Sequence, residues 1–173
     1  MAWAGRQVAT GQLLRNWSLV YIGNFAGAVA AALLVHHSGT LGLADGAVLA
    51  TATSIAQTKV ELPFVEAFVR GILCNILVCL AVWLSYAARH VAGKILAIVP
   101  PIAAFVALGF EHSVANMYFI PLAIMAGADG VTLGGLAANL VPVTLGNIVG
   151  GGILVAFVFW VIYLRNANGK DQA

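Results

Sequence analysis

Charge is scarce in this chain. Eight Lys and Arg with six Asp and Glu make up 8% of 173 residues, against 62% hydrophobic residues and a mean hydropathy of +0.99. A soluble domain carries about a quarter charged residues, and without them its surface would be a continuous apolar patch. That excludes a soluble enzyme and a disordered region. A net charge of +2 is too small an electrostatic footprint for phosphate, so nucleic acid is excluded as a partner. Cysteine is equally sparse: Cys74 and Cys79 share one apolar run, make no disulfide framework and match no zinc spacing. No metal and no cofactor are expected. The composition is that of an integral membrane protein.

Four stretches reach the roughly 20 apolar residues that cross about 30 Å of hydrocarbon. They run over about 13–35, 64–88, 92–126 and 140–164, within a single transmembrane domain over 1–173. The first is too long for a signal peptide and lacks a cleavage site. Arg6 and Arg15 precede the first span, Arg89 and Lys94 separate the second from the third, and Arg165 and Lys170 follow the fourth. On the opposite side lie only Lys59 and Arg70, and the connection GADGVTLGG (127–135) has no base. An excess of Lys and Arg marks the cytoplasmic side, which makes both termini cytoplasmic. The long outer connection, 36–63, contains GAVLATATSIAQT, a candidate for a short helix lying against the bundle.

The third stretch is too long for one span and is interrupted by Glu111, His112, Ser113 and Asn116. A charge at the centre of a membrane helix costs about 2.5–3.5 kcal/mol. A lone histidine there can simply bond a backbone carbonyl. Four polar groups in six residues after Gly109 point instead to a broken helix around 111–116 whose unwound middle lines a cavity, with half-helix ends offering dipoles to an anion. Pro100 and Pro101 should kink the first half. Gly146 and Gly150 form a small-xxx-small pair, as do Gly23 and Gly27, and read as close helix packing. Asn24, Asn75, Asn139 and Asn147 are expected to bond across helices, and Trp83, Trp160 and Tyr163 to anchor span ends at the interface. Cys74 and Cys79 read as small buried hydrophobes.

The runs AFVRGILCNILVCLAVWLSY (67–86), GFEHSVANMYFIP (109–121) and NLVPVTLGNIVGGG (139–152), with FWVIYLR (159–165), closely resemble the formate/nitrite transporter family. GQLLRNWSLVYIGNFAG (11–27) is similar to that family's third span. The resemblance implies an all-α membrane protein, a polytopic helical bundle of aquaporin-like inverted-repeat architecture. It also implies a homopentamer in a bacterial-type inner membrane, one pore per protomer, passing formate, nitrite or a similar anion with or without protons. On that resemblance His112 is a central histidine between two hydrophobic constrictions. Asn75 lines the same cavity, Asn116 is a nearby polar group of the substrate pathway, Phe105 belongs to a constriction, and Lys59 sits by the outer vestibule paired with Glu111. Each has an ordinary alternative: a surface lysine for Lys59, a purely structural ion pair for Glu111, core packing for Phe105.

Chemistry supports the histidine. Stripping water from a carboxylate-sized ion costs of order 20 kcal/mol by an idealised Born estimate. A side chain with an ordinary pKa of about 6.5 can offset that by donating a hydrogen bond or a proton. A hydrosulfide or lactate-type channel fits the same fold, and a non-conducting fragment or scaffold is the other alternative. A hydrolase using Glu111, His112 and Ser113 fails, because consecutive helical residues point in different directions and cannot form a nucleophile-base-orienter chain. No enzyme is expected.

Members of the family have six spans in two inverted halves. This chain matches spans three to six and lacks the first span and the broken second, so it reads as a fragment. Sequencing the DNA upstream should then reveal an in-frame extension encoding two more hydrophobic segments; a stop codon directly upstream would overturn the fragment reading.

Overall fold

A computed structural model describes residues 2–164, all helix, turn and loop with no strand among the described residues. Arg165 and Lys170, counted in the orientation, lie outside the described residues. Helix α1 (Thr10–His37) is followed by a short 3-10 turn (Thr40–Gly42), α2 (Ala47–Val60) and α3 (Phe64–Ala87). Then come α4 (Val91–Ala107), α5 (Ser113–Met125) and α6 (Leu133–Asn147), which continues in wider π-helical winding over Ile148–Val155 and Trp160–Leu164. The helices Thr10–His37, Phe64–Ala87 and Leu133–Tyr163 are long and apolar enough to cross a membrane. Helices α4 and α5, of 17 and 13 residues, are about 25 and 20 Å long, each short of the hydrocarbon thickness.

Local chemistry sets these limits. At the start of α1, Gln12 Oε1 accepts from the Ala9 N–H at 3.0 Å, answering one of the donors that a helix start leaves free. Helix α6 starts at Leu133, seven residues before position 140, because Thr132 caps it: its hydroxyl accepts from Gly135 N at 3.0 Å. The stretch GAVLATATSIAQT supplies α2, which packs on α5. Pro100 and Pro101 both lie inside α4.

Helix α5 is the centre of the bundle. Met117, Ile120 and Ala123 are buried against Ala56 of α2 and Leu136 and Leu140 of α6. Helix α1 reaches this core through Tyr21 and Ala28, and a second cluster through Ala32, a stripe at i, i+7, i+11. Ala32 is its one buried residue, and α4 has none. At about 100° per residue, Gly23 and Gly27 fall on the far side of α1 from that stripe. A side chain added at either would meet nothing within 4 Å, which corrects the expectation that this pair packs closely within the chain.

The other pair does. A Cβ on Gly146 would overlap the Phe68 carbonyl, one on Gly150 the Ile72 carbonyl, and one on Gly71 would lie 2.8 Å from the Val143 carbonyl. These three glycines press the backbones of α3 and the Leu133–Tyr163 helix together. Farther along the same contact, Trp83 stacks on Phe159 with ring centroids 4.2 Å apart. Gly146→Ala and Gly150→Ala should each destabilise the fold by about 1–3 kcal/mol, while Gly23→Ala and Gly27→Ala change it little. Unfolding titrations in mixed detergent micelles check the contrast, and equal effects at all four positions would refute it.

Candidate functional site

The break between α4 and α5 is built from ordinary helix-end chemistry. Gly109 adopts a left-handed φ of 66°, which a residue with a Cβ rarely takes. Phe110 N–H then donates to the Phe105 carbonyl at 2.9 Å and Gly109 N–H to the Val106 carbonyl at 3.1 Å, the paired bonds of a Schellman motif. Three residues later His112 caps α5. It is extended (φ −115°, ψ 117°), and its Nδ1 accepts from Ala115 N at 3.4 Å. Between the two ends the backbone must find partners elsewhere. Glu111 N–H donates to the Arg70 carbonyl at 3.3 Å. Asn147 supplies two more and reaches α3 as well: its Oδ1 accepts from Ser113 N at 3.0 Å, and its Nδ2 donates to the Glu111 carbonyl at 3.0 Å and to the Gly71 carbonyl of α3 at 2.9 Å. Where winding widens after Asn147, the Asn75 amide donates to the Asn147 carbonyl.

The Glu111 side chain is 4% exposed and closes a ring of polar groups. Lys59 Nζ donates to its Oε1 at 2.8 Å, and Asn116 Nδ2 donates to its Oε2 at 2.6 Å. Asn116 Nδ2 also donates to Asn139 Oδ1 at 2.7 Å, and Asn139 Nδ2 to the Lys59 carbonyl at 2.8 Å. That carbonyl belongs to the last turn of α2, whose acceptors have no helical partner. The same turn favours the Lys59 ammonium through the helix dipole. One acceptor, Asn116 Oδ1, is buried without a partner.

In an extended segment successive side chains face opposite ways, and Glu111 and His112 accordingly line different cavities. The first, about 310 Å³, is lined by Ser54, Thr58, Lys59, Arg70, Phe105 and Glu111 among others. The second, about 510 Å³, is lined by Tyr21, Asn24, Asn75, His112, Thr144 and Asn147 among others. Phe105 and His112 lie between them, rings near parallel at 22° with centroids 5.9 Å apart. The structure thus divides the six singled-out residues. Lys59, Glu111 and Phe105 share one cavity, and His112 and Asn75 share the other. Asn116 is fully enclosed and lines neither; both its amide hydrogens are committed to Glu111 and Asn139. Sequence reasoning missed the place of Arg70, counted only as an outer base; Asn75, Asn139 and Asn147 do bond across helices as expected, but their particular partners carried no sequence signal. Among the described residues no group of three or more His, Cys, Asp or Glu could hold a metal.

Comparison with known proteins is consistent across sequence and structure. A family model described as formate/nitrite transporter matches residues 1–161. The formate channel FocA of Escherichia coli K12 is 43% identical over 183 aligned positions, covering 95% of this chain and 64% of the relative. A probable formate transporter of Methanothermobacter thermautotrophicus is 46% identical over 167 positions, covering 88% of this chain and 60% of the relative. A pentameric formate channel with formate bound superposes with a TM-score of 0.83 at 37% identity, covering 89% of this chain and 68% of that one. The chain thus spans a little under two thirds of the length of the curated relatives it matches.

The ring predicts a coupled response to mutation. Glu111→Gln leaves the Lys59 ammonium buried without a counter-charge and should cost about 3 kcal/mol. Adding Lys59→Gln to that variant should recover much of the loss. A double-mutant cycle on unfolding in detergent measures the coupling, and additive effects would rule the pair out as an energetic unit.

Proposed function

Because the chain belongs to the formate/nitrite transporter family, we propose that this integral membrane protein carries the wall of a passage for a small monovalent anion such as formate or nitrite. The observation that carries the proposal is the placement of a histidine at a helix break between two cavities. With Nδ1 accepting from Ala115 N, the neutral His112 ring keeps its proton on Nε2. A ring in that state offers a donor to an anion, and on protonation it offers a full charge.

The anion arrives in the cavity of Lys59, Arg70 and Glu111 and meets the narrow point formed by the Phe105 and His112 rings. Stripping of its water is costliest there, of order 20 kcal/mol unaided. A hydrogen bond or proton from His112 offsets that cost, and a protonated weak acid passes as a neutral molecule. Asn75, Asn24 and the Tyr21–Thr144 hydroxyl pair (3.0 Å) rehydrate it in the second cavity. Asn116 acts indirectly, by holding Glu111. In this reading α4 and α5 together make a fourth, interrupted crossing.

Orientation follows from the bases. Arg6, Arg15, Arg89 and Lys94 flank one membrane face, and Lys59 and Arg70 the other, which supports cytoplasmic termini in a bacterial-type inner membrane. The resemblance to a structure described as pentameric supports a homopentamer. The apolar faces of α1 and α4, nearly unburied within the chain, supply surface for subunits and lipid.

Swelling of proteoliposomes containing this chain tests the passage, with formate and nitrite outside and acetate and chloride as comparisons. Selective formate or nitrite uptake supports it; no selective uptake defeats it for this chain. Uptake should rise as external pH falls and protonation of the histidine becomes more favourable. His112→Ala should abolish that dependence and slow uptake about a hundredfold, the scale of one proton-transfer group. A retained pH profile in the variant would defeat the protonation step alone.

A further inference from the structure

The first cavity holds two cations, and they differ in how far their charge is already committed. Lys59 Nζ lies 2.8 Å from Glu111 Oε1, with side chains only 13% and 4% exposed, and the same carboxylate is fixed from its other oxygen by Asn116. That ammonium is neutralised in place. Arg70 is 37% exposed, and its partners are long: Glu66 Oε2 at 3.3 Å and the Gly109 carbonyl at 3.5 Å. Glu66 is itself 55% exposed and one turn away on the same helix, and exposed pairs of this kind are weak and screened by salt. A guanidinium has five N–H donors in a planar fork, so two long contacts leave most of its capacity unused. Both cations and Phe105 line this one cavity.

Resting on the anion-passage reading above, we infer that Arg70 is the residue that first docks the anion in the outer cavity and favours anions with two oxygens over spherical ones. Formate and nitrite each present two oxygens on one atom, the shape that a guanidinium fork binds through parallel hydrogen bonds. Chloride gains only the charge. Lys59 is then a positioning residue that holds Glu111, and capture passes to Arg70. Ser54 and Thr58 border the same space from α2.

The decisive experiment does not require conduction. The full chain in lipid nanodiscs is treated with phenylglyoxal, an arginine reagent, and modification at Arg70 is followed by mass spectrometry with Arg89 as internal control. Sodium formate at about ten times its Kd should slow modification at Arg70 about tenfold and leave Arg89 unchanged. Sodium chloride at equal ionic strength should protect far less. Equal protection by chloride overturns the two-oxygen preference, and no protection by formate or nitrite overturns the docking site. Where uptake is measured, Arg70→Gln should raise KM for formate at least about tenfold, since a focused charge concentrates ions by that factor or more, with kcat little changed. Arg70→Lys should restore the response to ionic strength and leave formate preference over chloride lost. An unchanged KM in Arg70→Gln overturns the inference. A lack of uptake in the unsubstituted chain defeats the passage reading alone, with protection at Arg70 still deciding this one.

Discussion

A carboxylate enclosed among helices must be answered on both oxygens, and the arrangement around Glu111 follows from that demand. Its two oxygens take Lys59 and Asn116. Asn116 in turn requires Asn139, and Asn139 requires the carbonyl at the end of α2. Four elements, α2, the break, α5 and α6, are thereby fixed to one another through a single charge. In a hydrocarbon surround, where each unmet polar group costs several kcal/mol, such a ring confers specificity: a register shift in any one helix would open it.

Asn147 does for the backbone what Glu111 does for the side chains. The break exposes amides and carbonyls at the middle of the bundle, and one amide side chain answers two of them while also reaching a carbonyl of α3. It can reach because Gly71, Gly146 and Gly150 let the backbones of α3 and α6 nearly touch. Close packing at the glycines and polar satisfaction at the break are therefore one design. The irregular segment is tolerable only beside a contact that small residues make possible.

Much of this was legible in the residues. Apolar runs announced long helices, and Gly109 followed by four polar groups announced the interruption, since a left-handed cap glycine and an N-cap are both residue-level signals. The Lys59–Glu111 contact followed from the family likeness and from the cost of burying either charge alone. What stayed hidden was tertiary. Asn139 and Lys59 are 80 positions apart, and no periodicity tells which carbonyl an amide will find. Nor does composition show that Asn116 is enclosed, or that Arg70 shares a cavity with Phe105. The start of α6 was hidden for a different reason: LGGLAA is too glycine-rich to register as an apolar run, although Thr132 marks its cap.

Glu111 and His112 are neighbours in the chain, yet they belong to different cavities. One peptide unit therefore separates a compartment holding fixed charges of both signs from one lined by neutral amides, hydroxyls and a titratable ring. For any ion that crosses between them, the potential profile is lopsided by construction. At equal activity on both faces net flow must vanish, as it must for any passive pore. In the passage proposed above, a lopsided profile would respond unequally to the two directions of an applied voltage, which is rectification with no moving part.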